Sequence, residues 1–209
     1  MRNCELIVFA NSVKHGQHCV AGKDIQSGKW IRPVSDANGA ALSHNQVKYQ
    51  NPYGIYTVKP LQRILMSFSA HAPLPHQPEN HIIDKTPWRQ NYSISKRAIE
   101  DYLDSPEDLW GKSDRVPHID IVSGREPIEQ SLYLIPAHHL HLYRNTFNSR
   151  RAKFSYNGFN YDLSVTDPNF ENLLSSEKVD NCFLCVSLGE QYKGSNFKIV
   201  AAIYQRDPE

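Results

Sequence analysis

The stretch RRAKFSYNGFNYDLSV, residues 150 to 165, decides the fold class. Asn157-Gly158 favours the left-handed backbone conformations of a type I′ turn, and it stands between two runs that alternate as strands do. Pairing about that turn sets Tyr156 opposite Phe159, Phe154 opposite Tyr161 and Ala152 opposite Leu163 on one face. The other face then carries Ser155 with Asn160, Lys153 with Asp162 and Arg151 with Ser164. The aromatic face reads either as one wall of a barrel core or as a platform for unpaired bases. Ala152 and Leu163 on the same face favour the core, because an exposed apolar patch of that size is uncommon on a monomer. The cations beside it, Arg144, Arg150, Arg151 and Lys153, are then the candidate phosphate contacts, with Asp162 a cross-strand partner for Lys153.

A second hairpin lies within SVKHGQHCVAGKDIQSGKWIRPVS, residues 12 to 35. His18 to Ala21 forms one strand, Gly28 supplies the turn, and Lys29 to Val34 returns. Pro33 cannot donate to a ladder, so the returning strand is expected to be an edge or to end there. Alternation puts Trp30, Arg32 and Val34 on one face, an indole beside a guanidinium. Lys14, Lys29, Trp30 and Arg32 are therefore a second candidate nucleic-acid surface. The competing reading has Trp30 as an ordinary packing residue.

Working outward, Glu5 to Ala10 is an apolar opening strand, Asp36 to Pro52 a looser polar stretch, and Gly54 to Lys59 and Arg63 to Ala70 further strands. The proline-rich APLPHQPEN is expected to run extended over the surface. Ser93 to Leu103 has the best helical pattern, with Ile94, Ala98, Ile99, Tyr102 and Leu103 on one side, and Ser105 to Trp110 reads as a second short helix. His118 to Val122, Ser131 to Pro136 and His139 to Tyr143 read as strands, and Asp180 to Leu188 with Asn196 to Tyr204 as a closing pair. The expected fold is mainly β with minor α: a first barrel-like sheet over 1–85, a helical and proline-containing connector over 86–117, and a second over 118–209. No internal repeat is visible at residue level.

The segments CVAGKD, GKWIRPVS, HQPENHIID, LWG with the following DRVP, and RRAKFSYNGFNYDLSVTDP together resemble the bacterial dual OB-containing domain family. They come in the family's order over most of the chain. The resemblance implies two small OB-like antiparallel barrels in a family associated with prokaryotic conflict and defence systems. It carries over no catalytic residue.

Composition narrows the partners. The 209 residues are 40% hydrophobic and hold 23 Lys plus Arg against 22 Asp plus Glu, a formal charge of +1. Nucleic-acid binding would therefore need a local basic patch rather than a global field. No apolar run approaches the roughly 20 residues that span a bilayer, and the opening MRNCELIVFANS turns polar too early for a secretory signal, so a cytoplasmic protein away from membranes is expected. Cys182 and Cys185 have the spacing of a zinc knuckle, but on a strand residues three apart point to opposite faces, so buried thiols are expected. His139 and His141 would share a strand face with Tyr143 without a cysteine or carboxylate close in sequence, and no metal or other cofactor is assigned. Phosphate-loop, nucleophile-elbow and zinc-protease motifs are absent. The expectation is a non-catalytic nucleic-acid or nucleotide-binding module, with a protein-interaction adaptor working through barrel edge strands, or an enzyme acting on nucleic acid or nucleotides, as alternatives.

Overall fold

The computed structural model describes residues 2–14, 16–175 and 182–206, with the side chains of Arg2 and Lys14 outside that description. The chain divides into two compact units, Met1–Tyr102 and Leu103–Glu209. Among the described residues no helix is long and apolar enough to cross a membrane.

The first unit contains β1 (Arg2–Lys14), β2 (Gln17–Asp24), β3 (Trp30–Val34), β4 (Lys48–Asn51), β5 (Gly54–Thr57), β6 (Gln62–His71), β7 (Asn80–Ile83), β8 (Trp88–Ser93) and a 3-10 helix, Lys96–Tyr102. Five strands close a ring in the order β1-β2-β3-β7-β6 and back to β1. Four of its seams are antiparallel, and β3–β7 is parallel. Closure depends on β1, which pairs with β6 over Arg2–Ile7 and with β2 over Leu6–Lys14. A bulge between Val8 and Ala10 gives that strand its bend. Leu6, Val8, Val20, Ile31, Ile64, Met66 and Phe68 fill the interior. Gly22 sits where β1 and β2 cross closely, and a Cβ there would stand 2.4 Å from the Ile7 carbonyl oxygen.

The second unit contains β9 (Arg115–Pro117), α1 (His118–Val122), β10 (Leu132–Arg144), β11 (Arg150–Tyr156), β12 (Phe159–Val165), α2 (Phe170–Leu174), β13 (Cys182–Tyr192) and β14 (Ser195–Gln205). Its ring runs β10-β11-β12-β14-β13 and back to β10, and here β12–β14 is the parallel seam. Taken in chain order, both rings therefore place their strands first, second, third, fifth, fourth. The repeat that no residue pattern betrays exists as topology. Between the third and fourth ring strands the first unit holds the β4–β5 hairpin, and the second holds α2.

The β11–β12 register is the one the Asn157-Gly158 turn implies, from Tyr156 opposite Phe159 to Arg151 opposite Ser164. Ala152, Phe154, Tyr156, Tyr161 and Leu163 all lie in the core, so the aromatic face is barrel wall rather than stacking platform. Cys182 and Cys185 are buried and belong to no disulfide. The expected closing pair is β13–β14, although residues 180 and 181 of its first strand lie outside the described residues.

Several local expectations are corrected. Pro33 is not on an edge: β3 has β2 on one side and β7 on the other. The β2 ladder stops at Ile31, and the Arg32 N–H already points to the Glu79 carbonyl, so the nitrogen of Pro33 faces the side on which no ladder bond is needed. His118 to Val122 is a helical turn, with Ile121 buried and Ile119 and Val122 exposed, where a strand would have put Ile119 and Ile121 together. Ser105 to Trp110 is not helical because side chains take its backbone groups: the hydroxyl of Tyr156 and the amide of Asn157 donate to the Pro106 carbonyl, and Leu109 N–H donates to the Tyr161 hydroxyl. Of the helical pattern over Ser93 to Leu103, Ser93 ends β8 and only Lys96–Tyr102 is helical. The polar stretch 36–52 contains β4. The proline-rich segment closes a Leu74–Gln77 bridge and buries Gln77, Glu79 and Asn80. The expected connector over 86–117 gives β8 and the 3-10 helix to the first unit and β9 to the second.

Replacing Gly22 with Ala forces a methyl group into the Ile7 backbone. Urea unfolding of G22A should show a loss of about 2–3 kcal/mol, whereas Gly28→Ala, with open space around its Cβ position, should cost less despite its φ of +68°.

Candidate nucleic-acid interface

An OB barrel offers ligands the outer face of its second and third strands and the adjoining loops. In the first ring that face is β2–β3, and it is covered. Trp30 is 5% exposed, with its ring 5.9 Å from that of Phe9, and Phe9 in turn meets Tyr102 of the 3-10 helix at 5.6 Å. Lys23 Nζ lies 5.2 Å from the Trp30 ring centre and donates to the Tyr102 carbonyl at 2.7 Å. Arg32 is 7% exposed, and its Nε donates to Glu79 Oε1 at 3.1 Å. In this conformation Trp30 and Arg32 serve packing and a buried ion pair. Lys29 is exposed at the turn. Lys14 ends β1, and its side chain lies outside the described residues.

In the second ring the equivalent face, β11–β12 with the outer half of β10, is open. It owes its composition to a second bulge. His138 pairs with Ser155 and His141 with Lys153, so β10 has one residue too many, and His139 takes a φ of +53°. The bulge changes the phase of the strand. Ile135 and Ala137 face the core before it, Leu140 and Leu142 after it, and His138 and His139 both point outward. Past the bulge, Tyr143 also faces outward. Its ring stacks on His141 at 5.6 Å with 5° between planes, and Lys153 Nζ lies 5.0 Å from its centre.

Asp162 does not pair with Lys153 as the cross-strand register suggests. Its Oδ1 accepts from Arg151 Nε at 3.0 Å, and its Oδ2 accepts from the Tyr143 hydroxyl at 2.5 Å. That hydrogen bond, with burial, raises the Tyr143 phenol above its ordinary pKa, so the ring stays neutral. Lys153 is left exposed. Arg144 and Arg150 share the Glu171 carboxylate, Arg150 Nη2 at 3.1 Å. On the outward face Arg151 and Lys153 against Asp162 leave one positive charge in excess, while Arg144 and Arg150 lie by the Phe170 ring at the α2 end of the barrel, with Glu171 and the buried Asp167 as their carboxylates. Beyond Arg144 the β10–β11 loop carries Phe147, 86% exposed. A groove of about 330 Å³ lies alongside, lined by His139, Lys153, Asn160 and Asp162 among others.

The structure thus brings Arg151 and Lys153 onto the outward face of β11, turns Arg150 with Arg144 to the Phe170 ring and Glu171 at the α2 end of the barrel, and leaves Lys29, Trp30 and Arg32 in the other unit. Sequence reasoning gives neither Tyr143 nor Phe147 a binding role, although it puts Tyr143 on one strand face with His139 and His141, which it shares here. The exposed Phe147 carries a legible signal, an aromatic in the polar loop NTFNS between two strands. That the face of Tyr143 is the outward one depends on the bulge.

A family model described as dual OB-containing domain matches residues 4–203. No curated protein and no solved structure matches the chain.

The buried Arg32–Glu79 pair gives a test of the closed face. Glu79→Ala takes the carboxylate from a buried guanidinium and should cost up to about 3–5 kcal/mol, while Arg32→Met with Glu79→Leu should recover most of that loss. Chemical denaturation of the three proteins reads the difference.

Proposed function

The chain belongs to the dual OB-containing domain family, and we propose that it is a non-catalytic nucleic-acid-binding module whose second barrel holds single strands on the β11–β12 face. The observation that carries this reading is the open second-and-third-strand face of that barrel, with Arg151 and Lys153 on it, at the position where OB folds take oligonucleotides. Arg151 and Lys153 on the face and Arg144 and Arg150 at its α2 end supply phosphate contacts, and Phe147 and Tyr143 supply rings for bases. The near-neutral total charge makes the interaction salt-sensitive and modest in strength. A role within a prokaryotic defence or conflict system follows from the family resemblance and is part of the proposal.

A second reading, a protein-interaction adaptor, draws on the β4–β5 hairpin of the first unit. β5 is the last strand of its sheet, and Tyr53, Ile55 and Tyr56 around it are exposed. An unpaired edge with apolar side chains suits strand addition by a partner.

Replacing Arg150, Arg151 and Lys153 together with Ala should weaken binding to every single-stranded sequence alike. It should also flatten log affinity against log salt by about 0.7 for each phosphate that is no longer neutralised. Phe147→Ala should cost about 1–3 kcal/mol and leave the slope unchanged, because stacking releases no counterions. Fluorescence anisotropy across a salt series separates the two. A wild-type protein that binds no single strand at low salt leaves the adaptor reading in its place.

A further inference from the structure

One edge of β6 serves two strands in succession. Phe68–His71 takes β7, and Gln62–Leu65 takes β8. The chain leaves the sheet at Ile83, crosses through Asp84 to Pro87 and re-enters at Trp88. Outside β7 lies β3 and outside β8 lies β4, each in parallel pairing. The two arms therefore part at β6, and a cleft of about 660 Å³ opens between them. Its position follows the same logic as ligand crevices in branching sheets, where strands that separate leave backbone and loop groups facing a common gap.

The lining is chemically mixed. Lys48 comes from β4 and Lys85 from the crossing loop, and Asn45, Ser69 and Thr86 add amide and hydroxyl groups. Among the described residues neither lysine has an ion pair or a hydrogen bond. The carboxylate in the same lining, Asp84, is engaged elsewhere. Its Oδ2 accepts from Ser67 Oγ at 2.5 Å and its Oδ1 accepts from Thr86 N–H at 2.7 Å, interactions that keep it ionised and fix the crossing loop. Ile83, Pro87 and the edge of Trp88 supply an apolar wall. The volume lies within the range of small-molecule sites. Two unpaired ammonium groups match a phosphate with more than one charge, and the apolar wall matches a ring.

We infer that this cleft of the first unit is a binding site for a nucleotide-sized phosphate ester. It is separate from the β11–β12 face, and neither reading requires the other. Isothermal titration of the full chain with AMP, ATP, adenosine and pyrophosphate tests it. One molecule of AMP or ATP should bind per chain, with adenosine at least about tenfold weaker, a difference of about 1.4 kcal/mol. Lys48→Gln with Lys85→Gln should weaken AMP and ATP by about tenfold or more, with an unchanged melting temperature and unchanged single-strand affinity. Lys85→Glu, at an exposed position, should do the same by charge reversal. No saturable nucleotide binding, equal affinity of the lysine variants and wild type, adenosine as tight as AMP, or pyrophosphate as tight as ATP would each overturn the assignment. Loss of single-strand binding in R150A/R151A/K153A with nucleotide binding intact would show the two sites to be independent.

Discussion

In each barrel a single long strand must satisfy two neighbours that lie in different directions. β1 and β10 are both 13 residues long, and each pairs with the fourth ring strand in its first half and the second ring strand in its second half. A straight strand cannot do this. The bulges at Val8/Ala10 and His138/His141 supply the added twist that lets the sheet curl back on itself. They also decide which side chains meet the interior, because one extra residue exchanges the two faces of a strand whose side chains alternate. The outward pair His138 and His139, and the outward Tyr143, exist because the ring must close.

The two rings share a strand order but use their second-and-third-strand faces in opposite ways. In the first, Phe9, Trp30, Lys23 and Tyr102 cover the face with aromatic packing and a lysine-to-carbonyl bond. In the second, the same face keeps Arg151 partly exposed and Lys153 exposed. Asp162 is the carboxylate that supports Arg151, and Lys153 keeps that face positive. A total charge near zero is therefore compatible with a local site for polyanions.

What could be read from the sequence was what local chemistry settles. The β11–β12 hairpin was legible because turn preference and hydrophobic alternation point to one register. The pair Arg151 and Lys153 was legible for the same reason, since the register fixes their face, and the same register turns Arg150 to the other side. The burial of Trp30 and Arg32 was not, because it depends on groups from other elements: Phe9 and Lys23, both held by Tyr102, against Trp30, and Glu79 against Arg32. Nor were the parallel seams β3–β7 and β12–β14, whose strands are not consecutive. The loss of helix over Ser105 to Trp110 had the same origin, since the hydroxyls that capture its backbone belong to Tyr156 and Tyr161. The common face of His139, His141 and Tyr143 was legible, but not that it points outward, because no residue type marks a bulge.

The parallel seam also sets an order on biosynthesis. A ring whose third strand pairs with its fifth cannot close until the fifth has been made. The first barrel has its fifth strand when Ile83 emerges, whereas the second waits for β14, which ends at Gln205. At about 5–20 residues per second, the 122 residues between those points take roughly 6 to 25 s to synthesise. Barrels of high contact order fold in milliseconds to seconds. The first ring is thus shut, with its strand edges already paired, before the last strand of the second exists. Two modules of the same topology on one chain are kept from exchanging strands by the timing of translation as well as by their sequences.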